Sequence, residues 1–190
     1  NKALSPLNHR AFLSPSGPEY ALNHDLAPLL TFARAVVRHD HRSRVRDLAP
    51  SATLEWYDPN RALVRVQTAK DTSELQSAPD WELTGLGKFQ EYGLQFFLAG
   101  EPAFWYAPGE ELTPAEVVCH TLVLDSGSRR VSYSMLLIEA LHIEQETLTD
   151  NASWYGLESA VTVMYQALRG EFDIPDESPV VIPGETEYDA

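Results

Sequence analysis

Thr113-Pro114-Ala115-Glu116-Val117-Val118-Cys119-His120-Thr121-Leu122-Val123-Leu124 decides how the second half of the chain is read. Threonine is a preferred N-cap, and proline at the first helical position gives up an amide hydrogen that would have no helical partner. A glutamate three residues after the cap can reach back and close a capping box. The spacing predicts a helix through Val117, Val118, Thr121, Leu122 and Leu124, with a break at Asp125-Ser126-Gly127. Beyond the break, Val131 to Leu141 is apolar nearly all round through Tyr133, Met135, Leu136, Leu137 and Ile138, which places it centrally in the core. Leu148 to Tyr155 and Leu157 to Arg169 extend the helical pattern, the latter with Leu157, Ala160, Val161, Met164 and Leu168 on one face and Gly170 as its stop.

Upstream the pattern is mixed. The run Phe12-Leu13-Ser14-Pro15-Ser16-Gly17-Pro18-Glu19-Tyr20-Ala21-Leu22-Asn23 sets a turn cluster between two short apolar arms and reads as a hairpin. Asp25 to Asp47 carries Leu26, Leu29, Leu30, Ala33, Val36 and Val37 at a helical period, with Asp25 as N-cap, and is the longest helix in the chain. Ala52 to Thr68 alternates around Leu54, Trp56, Leu63, Val64 and Val66, with Asp58-Pro59-Asn60 as the turn of a second hairpin. Residues 69 to 80 are polar and read as a loop. Trp81, Leu83, Leu86, Phe89 and Tyr92 suggest a short helix ending at Gly93. Leu94 to Leu98 and Ala103 to Ala107 are aromatic-rich strands, so four arms form one small antiparallel sheet. The expected class is therefore α+β: a small antiparallel sheet with a long N-terminal helix and a C-terminal helical cluster. The boundaries fall at an irregular arm, 1–24, a long helix, 25–48, a sheet region, 49–110, a helical cluster, 111–170, and an acidic tail, 171–190.

One hundred and ninety residues with 44% hydrophobic content suffice for a single core and exclude a disordered chain. No run approaches the roughly eighteen apolar residues of a membrane span, and no basic-then-apolar leader opens the chain, so the expected location is cytoplasmic with no membrane partner. A lone Cys119 excludes an internal disulfide and a cysteine zinc cage, and its apolar setting reads as core. Twenty-eight acidic against fourteen basic residues argue against nonspecific nucleic-acid binding by the whole chain. High working salt, which screens a self-repelling surface, accounts for the surplus; so does an ordinary acidic protein with an acidic tail, since Glu171 to Ala190 alone carries seven acids and no base. Pro175, Pro179 and Pro183 make that tail a solvated extension rather than a helix.

Arg34, Arg38, Arg42, Arg44 and Arg46 gather five of the fourteen basic residues, and the first three, spaced by four, share one helix face. Guanidinium forks suit phosphates or an acidic partner, while a solvated face with Asp40 and Asp47 as local partners explains them equally well. His39-Asp40-His41 has metal-ligand chemistry, but residues i and i+2 point about 200° apart on a helix and cannot share an ion, so no metal is expected. His120 stands four residues after Glu116, and His142 near Glu139 and Glu144; both read as local ion pairs. Nucleotide and nucleophile motifs are missing, Gly85-Leu86-Gly87 lacking a third glycine, so no catalytic residue and no cofactor is expected. Phe96, Phe97, Phe104, Trp105 and Tyr106 form an aromatic patch that serves as sheet core, a pocket lining or a partner surface.

The run Gly17-Pro18-Glu19-Tyr20-Ala21-Leu22-Asn23 followed by a long helix resembles the end of the wing of a winged helix-turn-helix domain and its linker helix. Glu55-Trp56 with Ala62-Leu63-Val64-Arg65, Gly85-Leu86 to Tyr92-Gly93, Thr113-Pro114-Ala115-Glu116 to His120-Thr121-Leu122, and Trp154-Tyr155-Gly156-Leu157 are similar to the C-terminal domain of helix-turn-helix transcriptional regulators from halophilic archaea. More loosely, they are similar to the C-terminal region of AbiEi-type antitoxins. The resemblance spans about residues 17 to 170 and implies no catalytic residue. It implies a regulatory and oligomerising domain whose arm is the remnant of a wing; residues 1–12 are too short for a DNA-reading helix, so either that part lies ahead of Asn1 or this chain does not bind DNA directly. Leu26, Leu30, Ala33 and Val37 would then join two copies, while the arginines face DNA phosphates or the partner's acids. The alternative is an antitoxin-like module whose acidic surface masks a basic protein.

Overall fold

A computed structural model of the chain describes residues 13–16, 19–22, 26–95, 102–171 and 178–182. It divides into two units, 1–43 and 44–190, with the division inside the long helix α1 (Ala27–Leu48). The first unit holds β1 (Leu13–Ser16) and β2 (Glu19–Leu22), antiparallel with Leu13 opposite Leu22 and Ser16 opposite Glu19. Most of α1 follows, and its proposed cap Asp25 lies outside the described residues.

The second unit is built on β3 (Thr53–Tyr57), β4 (Ala62–Arg65), β5 (Trp81–Thr84) and β6 (Ala103–Tyr106), all antiparallel in the order β3-β4-β6-β5. The turn between β3 and β4 is made by Asp58, whose Oδ1 accepts from the backbone N–H groups of Asn60 at 2.8 Å and Arg61 at 2.7 Å. The register then slips. Leu54 pairs with Val64 but Trp56 pairs with Leu63, so Glu55 is a bulge residue and Trp56 moves to the face opposite the one Leu54 occupies. Arg65 holds the bulge, donating from Nε to Glu55 Oε1 at 3.0 Å.

Both faces of the sheet are covered. On one, Val64, Phe104 and Trp81 meet Val45 and Ala49 from the end of α1 and Leu75 from α2 (Ala69–Ser77). The other face, with Leu63, Ala103 and Trp105, carries the larger core, in which α3 (Pro114–Leu124), α4 (Ser128–Leu141), α5 (Gln145–Ser153) and α6 (Glu158–Leu168) pack. The α+β class, the long helix and the helical cluster are as the periodicity predicts. The capping box at α3 is formed: Glu116 N–H donates to Thr113 Oγ1 at 3.3 Å, and Thr113 N–H to Glu116 Oε2 at 2.9 Å.

Three expectations are corrected. Residues 69–80 are not a loop, because α2 is capped by Thr68, whose hydroxyl accepts from Asp71 N–H at 3.2 Å. Leu75 is its buried apolar anchor, too sparse a pattern to show a period. Residues 81–84 are strand β5, with a 3-10 helix, Gly85–Tyr92, after it that ends at Gly93 as expected. Gly85 makes the change of direction at φ +60°, where a Cβ would also come within 3.1 Å of Leu124 Cδ1. The fourth strand of the described sheet is thus β5; of the expected strand 94–98, Leu94 and Gln95 are non-strand, and 96–98 lie outside the described residues. Finally, the tail 171–190 is not wholly a solvated extension, since Val180 is buried in the larger core.

Candidate functional site

On α1, Arg34, Arg38, Arg42, Arg44 and Arg46 are all exposed, and among the described residues Arg34, Arg38, Arg42 and Arg46 form no ion pair. Arg44 lies 4.6 Å over the Tyr106 ring, a cation–π contact that makes it part of the sheet's cover. In the proposed seam, Leu26 and Val37 are half-buried while Leu30 and Ala33 are exposed. The largest exposures sit beside it: Leu29 60%, Phe32 68% and Val36 42%. At about 100° per residue these three fall within about 60° of one another, so they share one face of the helix. In the first unit, the helix therefore has an open apolar face. His39 is exposed and His41 buried, as their two-residue spacing demands, and among the described residues no three His, Cys, Asp or Glu side chains converge as a metal site.

A second cluster lies inside the other unit. His120 is fully buried, and it does not pair with Glu116, which is occupied by the capping box. Its Nδ1 is 2.8 Å from Thr84 Oγ1 on β5, and its Nε2 is 2.9 Å from Tyr155 Oη in the turn between α5 and α6. Among the described residues the buried Thr84 hydroxyl has no other acceptor, so it donates to Nδ1. The ring proton then sits on Nε2 and donates to the Tyr155 oxygen. Burial first, and the nearby positive Arg61 second, push the imidazole down to about 3, so it is neutral under all ordinary conditions. Burial likewise raises the Tyr155 phenol well above its usual range.

Indole rings wall this chain of hydrogen bonds. Trp105 stacks on His120 with ring centres 4.3 Å apart, and Trp56, delivered by the bulge at Glu55, lies 4.7 Å from Tyr155 and 5.7 Å from Trp105. Arg61 closes the outer side. Its guanidinium lies 4.9 Å from the Trp154 ring and 5.9 Å from those of Trp56 and Trp105, and donates from Nε to Asp58 Oδ2 at 2.7 Å. Burial works against its charge, but the hydrogen bond and charge of Asp58, with Glu110, prevail and raise its pKa. One residue thus joins the hairpin turn to the exposed Trp154.

Nothing in this cluster is poised as an acid or base: both imidazole nitrogens are engaged, and Cys119 next to it is buried with its thiol pushed up to about 12. Of the aromatic patch, Phe104 and Trp105 are core and Tyr106 is half-buried, while Phe96 and Phe97 lie outside the described residues. Along the free edge by β5, Asp80, Glu82 and Glu110 rim a cleft of about 360 Å³ with Trp81 and Trp105 in its wall. The sequence reading missed Thr84, Tyr155, Trp56 and Arg61 as companions of His120. The one available signal was that aromatic residues crowd the same short segments, Glu55-Trp56 and Trp154-Tyr155.

The molecule is thus an α+β protein whose sheet and helical cluster are tied through a buried, neutral histidine. The chain belongs to the HVO_2833_C family, C-terminal, whose model matches residues 78–190, more than half of its length. That family is named from a halophilic archaeal protein. No curated protein and no solved structure matches the chain. The match begins just before β5, so Thr84, Trp105, His120 and Tyr155 fall within it, whereas Trp56 and Arg61 come from the preceding hairpin. Among the described residues no helix is long and apolar enough to cross a membrane.

Proposed function

We propose that the chain is the regulatory and oligomerising part of an archaeal helix-turn-helix transcriptional regulator, non-catalytic and cytoplasmic, and that α1 joins two copies. The observation that carries this reading is the open apolar face of α1, with Leu29, Phe32 and Val36 exposed together on one side of the helix. A face of this kind in a chain of net charge −14 favours association, because little else on an acidic surface drives like-charged copies together. Leu26, Leu30, Ala33 and Val37 widen the seam, and Arg34, Arg38 and Arg42 lie on the opposite side of the helix, exposed and turned from the seam toward DNA phosphates or an acidic partner. The neutral His120 and the unreactive setting of Cys119 support a structural rather than a catalytic interior.

Light scattering at molar salt tests the proposal. The wild-type chain is expected to be a dimer with an interface above about 1,000 Å². Phe32→Asp and Leu29→Asp are expected to give folded monomers, and a monodisperse wild-type monomer would overturn the pairing.

The antitoxin-like reading draws support from the carboxylate-rimmed cleft at Asp80, Glu82 and Glu110, which suits a basic side chain. It predicts a salt-sensitive complex with a basic protein, lost in Asp80→Asn and indifferent to changes on α1.

A further inference from the structure

In the first unit the open face of α1 follows a heptad frame. Leu29, Phe32 and Val36 are spaced by three and then four, the alternation with which paired helices meet. Continued by three and then four, the same frame reaches His39 and Ser43, so the position after Val36 that calls for an apolar side chain holds an imidazole. At about 100° per residue His39 lies within about 80° of Leu29, Phe32 and Val36. Residues 38–40 are exposed, so among the described residues nothing of the same chain covers the ring. His41, two residues on, points elsewhere and is buried.

Two copies that pair along this face bring His39 into the seam in either orientation. Parallel helices set it against the partner's His39, with the partner's Asp40 and Arg42 at the edges. Antiparallel helices crossing at Val36 set it against the partner's Phe32 and Ala33, with no titratable group opposite. On its own helix the nearest charges are Asp40 on one flank and Arg42, three residues on, on the other. A neutral ring is tolerated there at some cost in stability, as a single polar side chain is in a coiled coil. A charged ring is not. Desolvating an ion outweighs an ion pair at an exposed rim, which contributes little and fades at molar salt, so Asp40 does not hold the charged form in place.

We propose that His39 makes the pairing of α1 pH-dependent: two copies join at neutral pH and part as the medium turns mildly acidic. This switch rests on the pairing through α1 proposed above and names what regulates it. Imidazole is the side chain that changes charge between about pH 5 and 8. Protonation adds one positive charge to each side of the seam, against each other in a parallel pair and against phenylalanine in an antiparallel one. Both arrangements loosen, so the stability of the seam is complete with the rings neutral and is lost as the pH falls.

Dissociation constants from sedimentation equilibrium of the full chain at about 2 M potassium chloride test it, with the helical circular dichroism recorded alongside to keep acid unfolding through His120 apart. From about pH 7.5 to about pH 5.5 the wild-type Kd is expected to rise about tenfold or more while the helical signal holds. His39→Leu should pair at least as tightly and change less than about threefold over the same interval. A wild-type dimer whose Kd stays within about threefold, or falls, at the lower pH would overturn the switch and leave the pairing standing. An equal rise in His39→Leu, or a loss that comes only together with the helical signal, would overturn it as well. A wild-type monomer at both pH values would remove the pairing and the switch with it.

Discussion

The Thr84 hydroxyl stands 2.8 Å from Nδ1 of His120, both residues buried and 36 positions apart in the chain. This bond fastens the edge strand β5 to α3, and the other ring nitrogen carries the connection on to Tyr155, a further 35 residues along. Three elements that share no local sequence signal are held by one imidazole.

Thr84→Val keeps the shape of the side chain but leaves a buried ring nitrogen without its donor. The expected loss is about 1–3 kcal/mol in denaturant unfolding at fixed molar salt, and Thr84→Ser should recover most of it. A loss within about 0.3 kcal/mol would show that the hydroxyl bond contributes little.

The pH dependence of stability follows from the same residue. His120 has its proton affinity lowered from 6.5 to about 3 on folding, so between these values the unfolded chain binds more protons than the folded one. Its contribution is complete above about pH 6.5 and is lost as the pH falls toward 3, amounting to a few kcal/mol. Unfolding free energies measured from pH 7 to 4 should fall more steeply for the wild type than for His120→Phe; parallel curves would contradict a neutral buried imidazole.

Cys119 should be silent in the folded state. It is fully buried and its thiol is pushed up to about 12, by burial first and by Glu116 second. A disulfide reagent at pH 8 is expected to react with the native chain at least about a hundredfold more slowly than with the unfolded chain. Similar rates in the two states would mean that this part of the core opens readily.

Arg61→Met removes a guanidinium that pairs with Asp58 and lies over Trp154, itself 63% exposed. The expected cost is about 1–2 kcal/mol, with a shift in tryptophan emission as Trp154 loses its neighbour. Arg61→Lys should not restore the emission, since an ammonium cannot lie flat on the ring while reaching Asp58. Unchanged emission in both variants would detach Trp154 from the cluster.

Legibility in the sequence followed the range of the interaction. The capping box at Thr113 and Glu116 lies within four residues and was readable in full; so were the hairpin at Asp58-Pro59-Asn60 and the stop at Gly93. Helix α2 was missed because Thr68 and Leu75 are its main marks, and β5 because Leu83, Leu86 and Phe89 fit a helical spacing when the pairing of Leu83 with Phe104 is unknown. His120 was assigned to Glu116, its helical neighbour, when Glu116 was already committed to its cap and Thr84 lay across the fold.

By itself, then, the order of residues determined the α+β class, the long arginine-bearing helix, and the acidic balance, because periodicity, caps and net charge are local or additive properties. The tertiary structure decided which histidine is buried and what holds it, which side of the sheet receives Trp56, and that Val180 returns to the core. Those outcomes depend on the strand order β3-β4-β6-β5 and on a one-residue slip at Glu55, which bring distant side chains within hydrogen-bonding reach and leave no period along the chain.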